Sequence, residues 1–151
     1  WLNSASLRSV GPDKLNQLRQ VRFLKDLATM KALMEQHRLL LKPRFDRVEA
    51  VFRWKLGRHG FARWTRPNGG YFVSLEVLPG TATKVVELAA KAGVIFASPG
   101  SCFPYGIDFA DSQLRIAPSM LELEQLDWAL AVIATCVIKA VCSALKALPP
   151  A

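Results

Sequence analysis

A chain of 151 residues, 51% apolar and 21% charged, is long and apolar enough to fold around one core, and that composition excludes a disordered tail. The formal net charge of +8 comes from 20 Lys and Arg spread from Arg8 to Lys146, without a recognition helix, zinc finger or aromatic RNA-binding signature. A solvated or cofactor-attracting surface is therefore expected, and no nucleic-acid partner.

The N-terminus, Trp1 to Arg8, lacks the basic start, apolar core and cleavage site of a signal peptide. It also lacks an initiator methionine, which leads to the expectation of a fragment. Ser9-Val-Gly-Pro12 reads as a turn with Pro at an acceptable first helical position. Leu15, Leu18, Val21 (or Arg22) and Leu24 then fall at helical spacing. A longer pattern follows: Met30, Met34, His37, Leu41, Phe45, Val48, Phe52 and Leu56 step by three and four residues and keep their phase across Pro43. This predicts one long helix kinked at Pro43, with Gly57 as its left-handed cap. His37 lies on the apolar stripe and reads as a partly buried structural histidine, because no second metal ligand stands at matching spacing.

Pro67-Asn-Gly-Gly70 separates two extended segments, about Phe61 to Thr65 and Tyr71 to Leu78, as a proline and paired glycines do in a turn. Thr81 is a plausible N-cap for a short amphipathic helix carrying Val85, Val86 and Leu88 and ending at Gly93. Val94 to Ala97 is an apolar run of strand length. The loop from Ser98 to Gly106 holds two prolines, two aromatics and Cys102, a composition that often lines sites. Cys102, Cys136 and Cys142 are odd in number and lack Cys-x-x-Cys spacing, so neither a metal site nor a disulfide framework is expected, and a cytoplasmic location is. Gln113 to Ala117 reads as another strand. Ser119-Met-Leu-Glu122 reads as a capping box before a last helix with Leu126, Leu130, Ile133 and Val137 on one face. The stretch from Leu126 to Val141 is the most apolar in the chain. Asp127 and Lys139 bracket it, and no membrane partner is expected.

The order helix, long helix, strand, strand, helix, strand, strand, helix predicts an α+β fold: a two-layer sandwich with a small, mainly antiparallel sheet covered by helices. Arg115 is the most informative charged residue. Its apolar neighbours Leu114, Ile116 and Ala117 put it on a half-buried strand, where a guanidinium needs an anion. A salt bridge to Asp108, Asp111 or Glu76 and a clamp for a ligand carboxylate fit this pattern equally well. No Gly-x-Ser-x-Gly elbow, Walker A loop or dinucleotide fingerprint is present.

Taken together, Trp64-Thr-Arg-Pro-Asn-Gly-Gly-Tyr-Phe72, Ala92-Gly-Val94, Ser98-Pro-Gly-Ser-Cys-Phe-Pro-Tyr-Gly106 and Leu114-Arg-Ile-Ala-Pro-Ser119 resemble the C-terminal part of a fold-type I, pyridoxal-phosphate-dependent aminotransferase. The likeness is to the class I, MocR-like aspartate aminotransferase branch. Ser9 to Arg19 and Val21 to Leu24 also resemble it, so the similarity extends over about residues 1 to 141.

The resemblance implies residues 1–26 as a remnant of the large-domain interface, 27–60 as a connecting helix and 61–148 as the small domain. It implies that Arg115 holds the substrate α-carboxylate, that Phe72 stands near the substrate side of the pocket, and that Arg8 contacts a distal carboxylate. The implied activity is transfer of an amino group between aspartate, or another acidic amino acid, and a 2-oxo acid, in a homodimer.

The sequence departs from the family in what it lacks. The catalytic lysine, the aspartate that pairs with the pyridine nitrogen and most of the phosphate cradle would lie upstream of Trp1, so no catalytic residue and no bound cofactor are expected for this chain alone. Leu15, Leu18 and Phe23 would then lack their usual cover, and self-association that buries them is expected. Two other readings are a non-catalytic module that dimerises or binds an anion through Arg115, and the sensor half of a MocR-type regulator, which would need a winged-helix segment upstream.

Overall fold

A computed structural model describes residues 11–147. The chain forms two compact units, Trp1–Leu40 and Leu41–Ala151. The expected contact of Arg8 lies outside the described residues.

In the first unit, α1 (Lys14–Leu24) starts two residues later than Pro12 suggested, because Asp13 is its cap: the carboxylate accepts the Asn16 N–H at 2.9 Å. Asp26 does the same for α2 (Leu27–Lys55), accepting from Thr29 N–H at 2.8 Å. That hydrogen bond, with a second from the Thr29 side chain, holds the Asp26 carboxyl below its ordinary value. No residue of α1 is buried, and Leu15 is 74% exposed. His37 is exposed as well, so it is not the partly buried structural residue its place on the stripe implied. The stripe's phase is right there, but no described residue of this unit buries it. Helix α2 continues through Pro43 as a single element, as the unbroken phase predicted.

The second unit holds the core. Strands β1 (Arg63–Trp64), β2 (Val73–Glu76) and β3 (Gln113–Ile116) form a three-stranded antiparallel sheet in that order. Helices α3 (Ala82–Lys91) and α4 (Leu123–Lys146) join the C-terminal half of α2 in one cluster with the sheet. The fold is α+β, as expected.

The period of two decides which side chains meet the helices. Val73, Leu75 and Val77 on β2 and its extension, with Leu114 and Ile116 on β3, are buried with Phe52, Val85 and Leu130. Helix α4 is long and apolar enough to cross a bilayer by length and composition. Nine of its residues are buried in the unit, among them Leu126, Leu130, Ile133 and Val137, so its apolar face is that of a core helix.

Several local expectations change. Val94 to Ala97 forms no strand and pairs with none among the described residues, and Ile95 is 89% exposed. Its start is set by the end of α3, where Val94 N–H donates to Ala89 O and Gly93 takes φ +84°. Thr81 precedes α3, but its hydroxyl donates to Leu78 O instead of capping. The cap is Asp111: its carboxylate accepts from Thr83 N–H at 2.9 Å and its carbonyl from Ala82 N–H at 2.9 Å.

The capping box at Ser119 is not formed either. Pro118–Met120 makes a 3-10 turn, and Glu122 precedes α4 without a side-chain cap. Gly57 is not left-handed; its N–H donates to Phe52 O and Arg53 O, and a Cβ there would meet the Arg53 carbonyl.

Glu49 on α2 ties the hairpin to the helices. It accepts from Trp64 Nε1 at 2.6 Å and pairs with Arg53 at 2.7 Å and Arg66 at 2.9 Å. Burial pushes its carboxyl up, but the bonds from Trp64 and Arg53 and the Arg66 charge outweigh that and hold it below the ordinary 4.5. A carboxylate depressed in the folded state adds stability above its unfolded value, and that share is lost as pH falls through the folded value. Glu49→Gln should therefore lower stability by about 1–2 kcal/mol at neutral pH. The gap to the wild-type chain should close in acid, which urea titrations at the two pH values would measure. By contrast, Arg47 Nε stands 2.9 Å from Asp127 Oδ1, out of line for a hydrogen bond, and such an exposed pair contributes little.

Candidate functional site

The sheet face opposite the core carries Phe72, Ser74, Glu76, Gln113 and Arg115, because each alternates with a buried neighbour. Ser74 stands directly opposite Arg115 in the ladder, and Ser74 Oγ donates to Gln113 Oε1 at 2.9 Å. The strand is half buried, as its apolar residues implied: Leu114 and Ile116 are buried on the core face, and Arg115 lies exposed on the other.

The salt-bridge partners anticipated for Arg115 are engaged elsewhere or unpaired with it. Asp108 accepts from the backbone N–H groups of Ala110, Ser112 and Gln113 at 3.1, 2.8 and 2.9 Å. Burial raises its carboxyl, and those N–H donors more than reverse the effect. Asp111 caps α3. Among the described residues Arg115 makes no ion pair and no hydrogen bond; its guanidinium carbon lies over the Phe72 ring, 4.5 Å from the centroid.

Arg115 and Phe72 stand together at a groove of about 230 Å³ beside β3. Val94 to Ala97 forms one wall, Ile116 and Ala117 another, and Leu126, Ala129, Leu130 and Ile133 of α4 form the floor. Leu121 also lines the groove, and its carbonyl accepts from Arg44 Nε at 3.0 Å. Both residues singled out in the sequence, Arg115 and Phe72, line this groove. The apolar wall has no such signal, since the run from Val94 to Ala97 reads the same whether it pairs in a sheet or lines a groove.

The Ser98–Gly106 loop leaves from the end of that wall, but its residues do not line the groove. It is closed on itself: Phe103 N–H donates to Gly100 O at 2.8 Å and Gly106 N–H to Phe103 O at 3.1 Å.

A groove with a single unneutralised cation suits one anionic group on an otherwise apolar molecule. Comparison with known proteins gives the chain a family. The family model for aspartate amino-transferase matches residues 2–147. The chain belongs to the aspartate aminotransferase family. An aspartate aminotransferase of Corynebacterium glutamicum is 42% identical over 140 residues, 93% of this chain and 32% of that protein. The crystal structure of an aspartate transaminase from the same species superposes with a TM-score of 0.85 at 40% identity, covering 93% of this chain and 33% of that one. The α-aminoadipate aminotransferase of Thermus thermophilus, solved with N-(5'-phosphopyridoxyl)-L-leucine, shares the fold at a TM-score of 0.69 and 21% identity over 85% of this chain. The chain spans about a third of the length of these relatives and corresponds to a C-terminal portion of an aminotransferase.

Aminotransferases of this family depend on pyridoxal phosphate, which supplies an electron sink for the carbon that loses its amino group. The groove of this aminotransferase segment does not fit that cofactor by itself. Its lining contains no lysine amine, no carboxylate to meet a pyridine nitrogen and one cation, Arg115. No group of three or more potential metal ligands occurs among the described residues either.

Proposed function

We propose that this chain provides the carboxylate-recognising wall of a pyridoxal-phosphate-dependent aminotransferase that moves the amino group of aspartate, or another acidic amino acid, to a 2-oxo acid. Arg115 carries the proposal: it is a cation with no anionic partner among the described residues, held at the rim of an apolar groove. Its fork of N–H donors matches the two oxygens of a carboxylate, and gripping them fixes the rotation of the substrate about its α-carbon. Ile116, Phe96 and Leu121 flank the grip with apolar surface, which limits water and strengthens the charge contact. The cofactor and the lysine that binds it belong, on this reading, to the rest of a longer polypeptide. This segment alone is then inactive.

In the longer polypeptide, Arg115→Ala should reduce kcat/KM for an amino-acid substrate roughly 30- to 150-fold, the loss of a charge-assisted bidentate contact of about 2–3 kcal/mol. Arg115→Lys should recover part of it, since a point charge cannot reproduce the fork. Steady-state transamination assays measure both. Activity in Arg115→Ala equal to wild type would sink the assignment, as would cofactor-dependent amino transfer by residues 1–151 alone.

A further inference from the structure

We propose that Phe72 is a positioning residue for Arg115, orienting the guanidinium without neutralising it; this rests on the reading of Arg115 as a carboxylate receptor. The ladder puts the two side chains within reach. Val77 N–H donates to Ser112 O at 2.8 Å, which makes 77/112, 75/114 and 73/116 the hydrogen-bonded pairs. Ser74 and Arg115 are then a non-hydrogen-bonded pair, whose side chains stand close on the outer face. Phe72 lies two residues before Ser74 and is the diagonal neighbour of Arg115 on that face, a separation that an aromatic ring spans. The Arg115 guanidinium carbon sits over the ring, 4.5 Å from its centroid.

The nature of the partner matters more than the contact itself. A carboxylate beside Arg115 would take up its N–H donors and cancel its charge, leaving nothing for a substrate. A phenyl ring attracts the cation through its quadrupole yet carries neither charge nor a lone-pair acceptor. It therefore restrains a long, flexible side chain while the positive charge stays available.

The surroundings keep competitors away. Asp108 and Asp111 are committed to backbone donors and to the start of α3. Glu76 shares the outer face but forms no ion pair with Arg115 among the described residues. Phe72 itself is 48% exposed, so it is not held in place to fill the core.

Titrating this chain with succinate, followed through the Arg115 Nε–H resonance by NMR, tests the idea. In the wild-type chain that resonance should show a ring-current shift and respond to succinate; Arg115→Ala should abolish binding. Phe72→Leu should remove the ring-current shift and weaken succinate binding about threefold, the worth of an exposed cation–π contact. Phe72→Trp should restore both, whereas a merely packing role would be satisfied by leucine. Unchanged amide resonances of β2 and β3 establish that the variants are folded.

Failure of the wild-type chain to bind succinate, or undiminished binding by Arg115→Ala, overturns the carboxylate-receptor reading and this inference with it. Loss of binding in Arg115→Ala combined with wild-type affinity in Phe72→Leu overturns only the role of Phe72.

Discussion

Phe52→Ala should destabilise the second unit by about 3–5 kcal/mol, the usual cost of removing a fully buried phenyl ring. Phe52 is completely buried on α2, at the centre of the cluster that joins β2, α3 and α4. Its ring meets Trp64 edge-on, with centroids 5.7 Å apart and planes at 70°, so truncation removes an aromatic pair as well as apolar area. Trp64 cannot slide into the void, because its indole N–H is tied to Glu49. The cavity therefore persists, which places the cost toward the upper end. A domain of this size is stable by about 5–15 kcal/mol, so the variant should show a large drop in urea midpoint with little change in slope. Trp54→Ala on the same helix is the control. Trp54 is 68% exposed, and its replacement should change stability by less than about 1 kcal/mol. Equal effects at the two positions would mean that the core is not centred where the structure puts it.

Gly100→Ala should have the next largest effect, about 2–4 kcal/mol, through backbone and not through packing. Gly100 has φ +80°, where an L side chain is strained by about 1–2 kcal/mol. A Cβ there would also run into the carbonyl of Gly106, and a backbone carbonyl cannot rotate away as a side chain can. The loop has to open, breaking the bonds of Phe103 N–H to Gly100 O and Gly106 N–H to Phe103 O.

Gly106→Ala separates the two causes. Gly106 has φ +71° but open space around its Cα, so only the conformational strain of about 1–2 kcal/mol should appear. Hydrogen exchange of the Phe103 and Gly106 amides should accelerate strongly in Gly100→Ala and weakly in Gly106→Ala. Equal acceleration would remove the steric argument.

The sequence carried the parts of this fold that depend on periodicity. The stripe from Val48 through Phe52 to Leu56 is buried as its spacing required, and Leu126, Leu130, Ile133 and Val137 are buried along α4. Alternation around Arg115 placed it on a half-buried strand, which β3 is, but did not tell how exposed its own side chain is. The apolar neighbours of an exposed residue look the same as those of a half-buried one until the register with β2 is known.

Features that depend on distant partners were not legible. Thr81 reads as a cap, yet the cap is Asp111, a contact across 28 residues to Thr83 with no local signature. The Val94–Ala97 run has strand composition but no neighbouring strand among the described residues to make it one. His37 shows the converse: its helical phase was clear, and burial depends on what lies against that phase. At the site, Arg115 and Phe72 were legible from motif resemblance; the contact between them follows from the register.

The cap from Asp111 has a consequence for how the chain acquires its structure. Helix α3 is a short segment whose first turn is completed by a residue that leaves the ribosome long after the helix itself. Until residue 111 emerges, the amides of Ala82 and Thr83 face water, and so short a helix is marginal in isolation. Once it arrives, the same few residues start β3 and close the helix. The start of helix α3 is thus tied to the residues that lead into the edge strand β3, which stand 28 positions further along the chain.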